Sequence, residues 1–90
     1  MRYQQTVLIY MKGMNYMVRK IRLSQADVER FVAVASKCDF DIDIAYNRYV
    51  VDAKSILGVF GMDFSKVLTV EYEGYHAEFE NMMATYTVAC

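Results

Sequence analysis

The sequence predicts one α+β domain, an open antiparallel sheet with helices on one face. Hydrophobic residues repeat by turns with the period of a strand and the period of a helix, in the order βαββαβα. The chain has 90 residues, of which 56% are hydrophobic and none is proline. That length supports one compact core and leaves no room for a second.

The first strand and the first helix are predicted in the N-terminal half. Residues 14–23 are rich in Tyr, Met, Val and Ile, which favours a strand. The period changes at Ser24, and a helix is expected from there to about Lys37. Its buried face is predicted by residues at i, i+3, i+4 and i+7: Val28, Phe31, Val32 and Ala35.

A hairpin and a short helix are predicted next. Residues 39–44 alternate strictly between polar and apolar, so three aspartates are expected on a solvent face: Asp39, Asp41 and Asp43. A two-residue turn at 47–48 leads to a partner strand over residues 49–53. Residues 54–62 follow as a short helix, and Gly61 near its end suits a helix terminator.

A fourth strand and a last helix complete the pattern. Residues 68–73 alternate between apolar and polar, and Gly74 ends the strand. Residues 75–88 are predicted to be helical from the spacing of four residues: Phe79, Met82, Met83 and Tyr86.

Residues 1–13 are surplus to this pattern and form an N-terminal extension to a domain of residues 14–90. The apolar run at 6–11 is costly to leave in water, so an added strand over residues 3–10 is one expectation. The alternative is that Met14 is the natural start of the protein.

Charge and cysteine content exclude several function classes. The net charge of −1 gives no general attraction to nucleic acid or membrane, and no segment has transmembrane length. Residues 1–37 carry +5 and residues 38–90 carry −6, a difference expected largely to cancel if the two parts pack together. Cys38 and Cys90 lack metal-ligand spacing, so we expect a reduced, cytoplasmic protein without metal or cofactor.

One motif points to a family. Residues 51–62 read Val-Asp-Ala-Lys-Ser-Ile-Leu-Gly-Val-Phe-Gly-Met, and they follow a hairpin of matching length. This segment resembles the short second helix of HPr, the histidine-containing phosphocarrier of the bacterial sugar phosphotransferase system. The likeness runs without insertion or deletion over residues 36–70. It implies an HPr-like open-faced sandwich, a four-stranded antiparallel sheet with three helices on one face. A ferredoxin-like or ACT-like ligand-sensing domain has the same element order and is the alternative.

The family's catalytic residues are missing. HPr needs a histidine at the start of its first helix and an arginine nearby. Counting back without gaps from residue 36 places Ser24 at the histidine position and Ala26 at the arginine position. Ser24 and Asp27 instead predict a capping box, in which the Ser24 hydroxyl accepts from the Asp27 N–H and Asp27 reaches back. The Asp27 carboxylate would repel a phosphate, so phosphohistidine chemistry is not expected at this helix end.

His76 is the only histidine of the chain. In the predicted topology it lies at the other end of the sheet from Ser24, since the fourth strand runs antiparallel to the first. An exposed or capping role is therefore expected for His76, because one strand length of roughly 20 Å separates it from the family's site.

The second helix holds the remaining candidates. By resemblance, Ser55 is a regulatory phosphorylation site for an ATP-dependent HPr kinase; from the residues alone, it caps the helix. The candidates for partner contact are Leu57, Phe60 and Met62, which the resemblance places on a docking patch. Ile56 and Val59 are expected in the core.

These observations favour a regulatory or protein-binding module of the HPr type without phosphohistidine activity. Its expected partners are phosphotransferase-system enzymes or HPr kinase, and an exposed apolar patch makes self-association a further expectation. The alternatives are a phosphoacceptor modified on Ser55 and an ACT-like small-molecule sensor. No nucleophile–base pair or metal cluster is visible, so an enzyme is not expected.

Overall fold

A computed structural model describes residues 15–88. The predicted strand over residues 3–10, the boundary near residue 13 and Cys90 lie outside the described residues. The elements are β1 (Tyr16–Ile21), one turn of 3₁₀ helix (Gln25–Asp27), α1 (Val28–Ala35), β2 (Ile42–Tyr46), β3 (Tyr49–Asp52), α2 (Ile56–Phe60), β4 (Leu68–Glu73) and α3 (Ala77–Tyr86). This order confirms the predicted βαββαβα pattern. None of these helices is long and apolar enough to cross a membrane.

The sheet has four strands in the order β1-β4-β2-β3, and every neighbouring pair is antiparallel. After α3 the chain becomes extended: Thr87 bridges to Ile21, and the Val88 N–H donates to the Lys20 carbonyl at 3.0 Å. The C-terminal segment therefore covers one end of the outer edge of β1. Within residues 15–88, no strand pairs with the outer edge of β3.

The core lies between the helices and one face of the sheet. The predicted face of α1 is confirmed, since all four of its residues are buried. Phe79 on α3 packs against Phe31 on α1, with ring centroids 6.5 Å apart, and meets the Tyr72 ring edge-on at 5.0 Å. Burying large apolar side chains of this kind stabilises the fold by about 1.5–3 kcal/mol each.

The start of β2 differs from the prediction. The strand begins at Ile42, three residues later than the alternation of residues 39–44 suggested. Phe40 leaves the sheet because its ring stacks on Tyr72, at a centroid distance of 5.8 Å. Gly74 makes room for this ring, since a Cβ at Gly74 would overlap Phe40.

The ranges predicted for the second helix and the last helix are both longer than the observed helices. α2 begins after the cap at Ser55 and ends at Phe60, while α3 begins after His76 and ends at Tyr86. In each case the side chain of the N-cap residue accepts a hydrogen bond from a backbone N–H that the helix start leaves unpaired. The predicted helix over 75–88 therefore loses its last two residues to the extended segment beside β1.

The face of the sheet opposite the helices is rich in carboxylates. The strand register aligns Val18, Glu71, Asp43 and Asp52 in one row across the four strands. Glu71 and Asp52 flank Asp43 on adjacent strands, and like charges placed directly opposite destabilise a sheet. The two halves of the chain are interleaved, as β1 pairs with β4, yet negative charge still gathers on this face.

Candidate functional site

The N-terminus of the first helix carries a capping box at the predicted residues Ser24 and Asp27, in which the Ser24 hydroxyl donates to the Asp27 carboxylate. Ser24 has an extended backbone, and its N–H and hydroxyl both donate to the Asp27 carboxylate at 2.9 Å. The Asp27 N–H donates to the Ser24 carbonyl at 3.0 Å. Ser24 and Ala26 are exposed. A negative side chain thus occupies the helix end where an anion would otherwise meet free N–H groups.

Arg22 ties this helix end to the loop before β4. Its Nη2 donates to the Ser65 carbonyl at 2.7 Å, and Ser65 in turn donates from its hydroxyl to Asp63 at 2.6 Å. The Ser65 hydroxyl, and after it the Ser65 N–H that donates to Asp63 at 3.0 Å, hold the pKa of the Asp63 carboxyl below its usual range. This contact could not be predicted from the sequence, because it joins residues 43 positions apart.

His76 lies at the opposite end of the sheet from Ser24, as predicted. Tyr16 pairs with Glu73 and Ile21 pairs with Leu68, so the chain reaches Ser24 from one end of β1 and His76 from the other. The His76 Nδ1 accepts from the Phe79 N–H at 3.3 Å, which makes His76 the N-cap of α3. The predicted capping role is confirmed.

Ser55 is the N-cap of α2. Its Oγ accepts from the Gly58 N–H at 3.2 Å, and its side chain is exposed. One residue therefore combines a structural hydrogen bond with a hydroxyl that reaches solvent. The capping prediction is confirmed, and phosphorylation of Ser55 stays a prediction.

The apolar side chains of α2 divide between core and surface. Leu57 is 82% exposed and Phe60 is 40% exposed, while Val59 is buried as predicted. Two assignments were wrong: Met62 is only 5% exposed and belongs to the core, and Ile56 is 38% exposed. The helix ends at Phe60, and the Met62 N–H turns back to the Val59 carbonyl at 3.1 Å, which directs Met62 inward.

Tyr49 on β3 extends this surface. Its hydroxyl donates to the Gly58 carbonyl at 3.4 Å. The same hydroxyl lies against Gly61, where an added Cβ would come within 2.5 Å of the Tyr49 hydroxyl oxygen. We name the exposed residues Tyr49, Ile56, Leu57 and Phe60 the α2 surface. The sequence signal for Tyr49 was the pair of glycines three residues apart, Gly58 in α2 and Gly61 just after it, because glycines often mark a close approach of another group.

The open face of the sheet has one shallow depression of about 300 Å³, lined by Tyr16, Asp41, Asp43, Glu71, Tyr72 and Glu73. The Tyr16 hydroxyl donates to Glu71 at 2.5 Å, and burial, followed by this bond, raises the pKa of Tyr16 to about 12. The predicted solvent-facing aspartates are all exposed. Between residues 15 and 88, no group of three or more ligating side chains is arranged to hold a metal.

Comparison with known proteins agrees with this fold. No protein-family model matches the chain, and no curated protein sequence matches it. Among solved structures, it is similar to the phosphocarrier protein HPr from Bacillus anthracis str. Ames, with a TM-score of 0.59 and 24% identity over 81% of this chain and 95% of that one. It is also similar to HPr-C-His from Thermoanaerobacter tengcongensis, with a TM-score of 0.59 and 25% identity over 80% of this chain and 89% of that one.

Both neighbours are HPr proteins, so the fold that the chain shares with them is the HPr sandwich and not an ACT-like domain. The described topology matches the four-stranded antiparallel sheet with three helices that the sequence predicted. The chain therefore has the open-faced α+β sandwich fold of the HPr phosphocarrier proteins, which confirms the resemblance read from its sequence.

Proposed function

We propose that the chain is a protein-binding module of the HPr type that does not carry a phosphohistidine. One observation carries this proposal: the Ser24–Asp27 capping box fills the helix end where HPr accepts its phosphoryl group. Phosphoryl transfer to histidine needs an imidazole nitrogen at that end and a positive environment for the phosphate. Here the groups at that position are the Ser24 hydroxyl and the Asp27 carboxylate, which bond to each other.

His76 does not offer a substitute. Its Nδ1 accepts the Phe79 N–H, and the residue follows the end of β4 that lies farthest from Ser24. Glu78 follows it in the first turn of α3 and adds negative charge beside it. A phosphoryl donor shaped for the family's site would meet a histidine in a different place on the sheet.

The α2 surface is the proposed docking site. Leu57 and Phe60 project from one short helix, and Tyr49 continues the apolar area onto β3. Exposed aromatic and large aliphatic side chains in one cluster are typical anchors of protein interfaces. Because the fold is that of HPr, phosphotransferase-system enzymes are the first partners to test. The proposed location of this binding is the cytoplasm.

Ser55 is the proposed regulatory position on this surface. A phosphate there would carry nearly two negative charges at the start of α2, where the helix tolerates them. The same charges would stand two residues from Leu57 and would disfavour an apolar partner. Binding through Leu57 and phosphorylation of Ser55 are therefore expected to oppose each other.

The test combines labelling and binding. The chain is incubated with enzyme I and phosphoenolpyruvate, or with HPr kinase and ATP, and intact mass is measured. We expect no adduct with phosphoenolpyruvate, and one ATP-dependent phosphate that Ser55→Ala removes. A phosphoenolpyruvate-dependent adduct that is lost in His76→Gln would overturn the proposal.

Binding to the same enzymes is measured by calorimetry. Leu57→Ala is expected to weaken it at least about fivefold, because an anchor residue is removed. Val18→Ala is the matched control, since Val18 is an exposed apolar residue on the opposite face of the sheet. Equal effects of the two variants, or no binding to any phosphotransferase-system protein, would contradict the proposed docking site.

A further inference from the structure

We propose that two copies of the chain form a symmetric dimer by pairing their β3 strands antiparallel, with the two-fold axis at Val50. The two four-stranded sheets would then join edge to edge. The edge of β3 has no strand partner among residues 15–88, whereas Thr87 and Val88 cover part of the edge of β1. An unpaired strand edge presents backbone donors and acceptors to another chain.

The backbone of β3 is arranged for this pairing. The Ala53 N–H donates to the Ile42 carbonyl at 2.8 Å, so the backbone groups of Ala53 face β2. Bonded and non-bonded positions alternate along an antiparallel pair, so Val51 also faces β2. Val50 and Asp52 then direct their backbone groups away from the sheet. Across a two-fold axis at Val50, the Val50 N–H and carbonyl of one copy meet the carbonyl and N–H of the other.

Charge selects the register. In this arrangement Arg48 of one copy lies opposite Asp52 of the second copy, and the symmetry repeats the pair. The Arg48 side chain is exposed and makes no hydrogen bond or ion pair with any other residue from 15 to 88. Asp52 lies opposite Asp43 on β2, a pairing of like charges that an arginine from outside would offset.

The remaining groups of Asp52 fit this role. One carboxylate oxygen accepts the Lys54 N–H at 2.8 Å, and the Asp52 carbonyl accepts the Ser55 N–H at 2.9 Å. Among residues 15–88, no group hydrogen-bonds to the second carboxylate oxygen, and the outward-facing backbone N–H is left for a partner. A register shifted by one residue would place Tyr49 opposite Asp52 and would leave Arg48 without a carboxylate.

The dimer would also bury apolar surface. Val50 is 56% exposed on the open face, and at the axis it would lie against Val50 of the second copy. Because β3 has only four residues, the interface is small and the dimer is expected to dissociate on dilution. The partner proposed for the β3 edge is thus a second copy of the chain, which binds when the protein concentration is high.

The first test is sedimentation velocity of the full chain over about a hundredfold range of concentration, with a reducing agent present to prevent disulfide links. We expect a concentration-dependent dimer. Val50→Lys places two lysines at the axis and is expected to give a monomer at every concentration. Val18→Lys is the matched control, because Val18 is a similarly exposed valine on the same face but on β1.

The second test checks the register. Arg48→Asp and Asp52→Arg each place like charges opposite each other in a homodimer, so each variant alone is expected to be monomeric. Mixed together they pair every aspartate with an arginine, and the mixture is expected to form a heterodimer. Circular dichroism confirms that each variant is folded.

Three outcomes would overturn the proposal. The wild-type chain could remain monomeric over the whole range, Val18→Lys could abolish the dimer as fully as Val50→Lys, or the mixture of charge variants could stay monomeric.

Discussion

Asp27 accepts two hydrogen bonds from Ser24, one from its N–H and one from its hydroxyl, both at 2.9 Å. The Ser24 N–H lies at the helix start, where free backbone N–H groups would otherwise meet an incoming anion. In the proposed function, the bonds that stabilise the first helix also occupy the helix end at which the resemblance places the family's phosphoryl chemistry. Structure and loss of activity have the same local cause in the proposed function.

Asp27→Ala is expected to destabilise the domain by about 1 kcal/mol, because the Ser24 N–H loses its partner and the helix loses a favourable charge. Urea unfolding followed by circular dichroism measures the change. Asp39→Ala is the control, since Asp39 is an exposed aspartate that accepts no hydrogen bond within the described chain. If both variants unfold at the same urea concentration, the capping box contributes nothing measurable.

Gly74→Ala is expected to cost about 2 kcal/mol. Gly74 has a φ of +154°, and a Cβ there would overlap the Phe40 ring that stacks on Tyr72. Thermal unfolding and the aromatic circular dichroism signal would report both the loss of stability and the displaced ring.

Gly61→Ala provides the matched comparison for Gly74→Ala. Its added methyl group would meet the Tyr49 hydroxyl, which can move into solvent, and would lie 3.3 Å from the Gly58 carbonyl oxygen, while its φ is −78°. A cost below about 1 kcal/mol is expected. An equal loss in both glycine variants would show that the Phe40 contact is not what distinguishes Gly74.

Met62→Ala and Leu57→Ala separate the core from the α2 surface. Met62 is buried, so its truncation is expected to cost about 2–4 kcal/mol through lost packing and a residual cavity. Leu57 is exposed, so its truncation is expected to change stability by no more than about 0.5 kcal/mol. Chemical denaturation of the two variants side by side measures this. A large loss for Leu57→Ala would mean that it supports the fold rather than the surface.

The sequence was sufficient for features that depend on local periodicity. The buried face of α1 and the bounds of β4 follow from spacing alone, and the capping box and the two single caps follow from the residues at helix starts. These signals need no knowledge of what the element packs against.

Features that depend on distant contacts could not be found in the same way. Phe40 continues the alternation of β2 in sequence, yet it leaves the sheet because the Tyr72 ring lies within reach. Met62 was expected on the surface and Ile56 in the core, and the structure reverses both. The reason is similar, because the point at which the five-residue helix ends decides which of its neighbouring side chains turns inward. The strand order that leaves β3 at an edge joins segments far apart in the chain.

Alkaline pH is expected to weaken the fold through Tyr72. Burial, and then the hydrogen bond from its hydroxyl to Glu80 at 2.7 Å, raise the pKa of Tyr72 from 10.0 to about 12. Arg19 joins this group through its own ion pair with Glu80 at 2.7 Å. The folded state therefore keeps the phenol proton more tightly than the unfolded state does.

The sign follows from that difference in proton affinity. The stabilisation is fully present below pH 10 and is lost as the pH rises through about 12, because the unfolded chain ionises first. The expected loss is about 2 kcal/mol across this window. Urea unfolding between these pH values measures it, and Tyr72→Phe is expected to reduce the dependence, leaving the part that comes from Tyr16, whose pKa is also raised to about 12. Tyr75→Phe, at an exposed tyrosine, is expected to leave the slope unchanged, and a flattened slope in that variant would assign the effect to tyrosine ionisation in general.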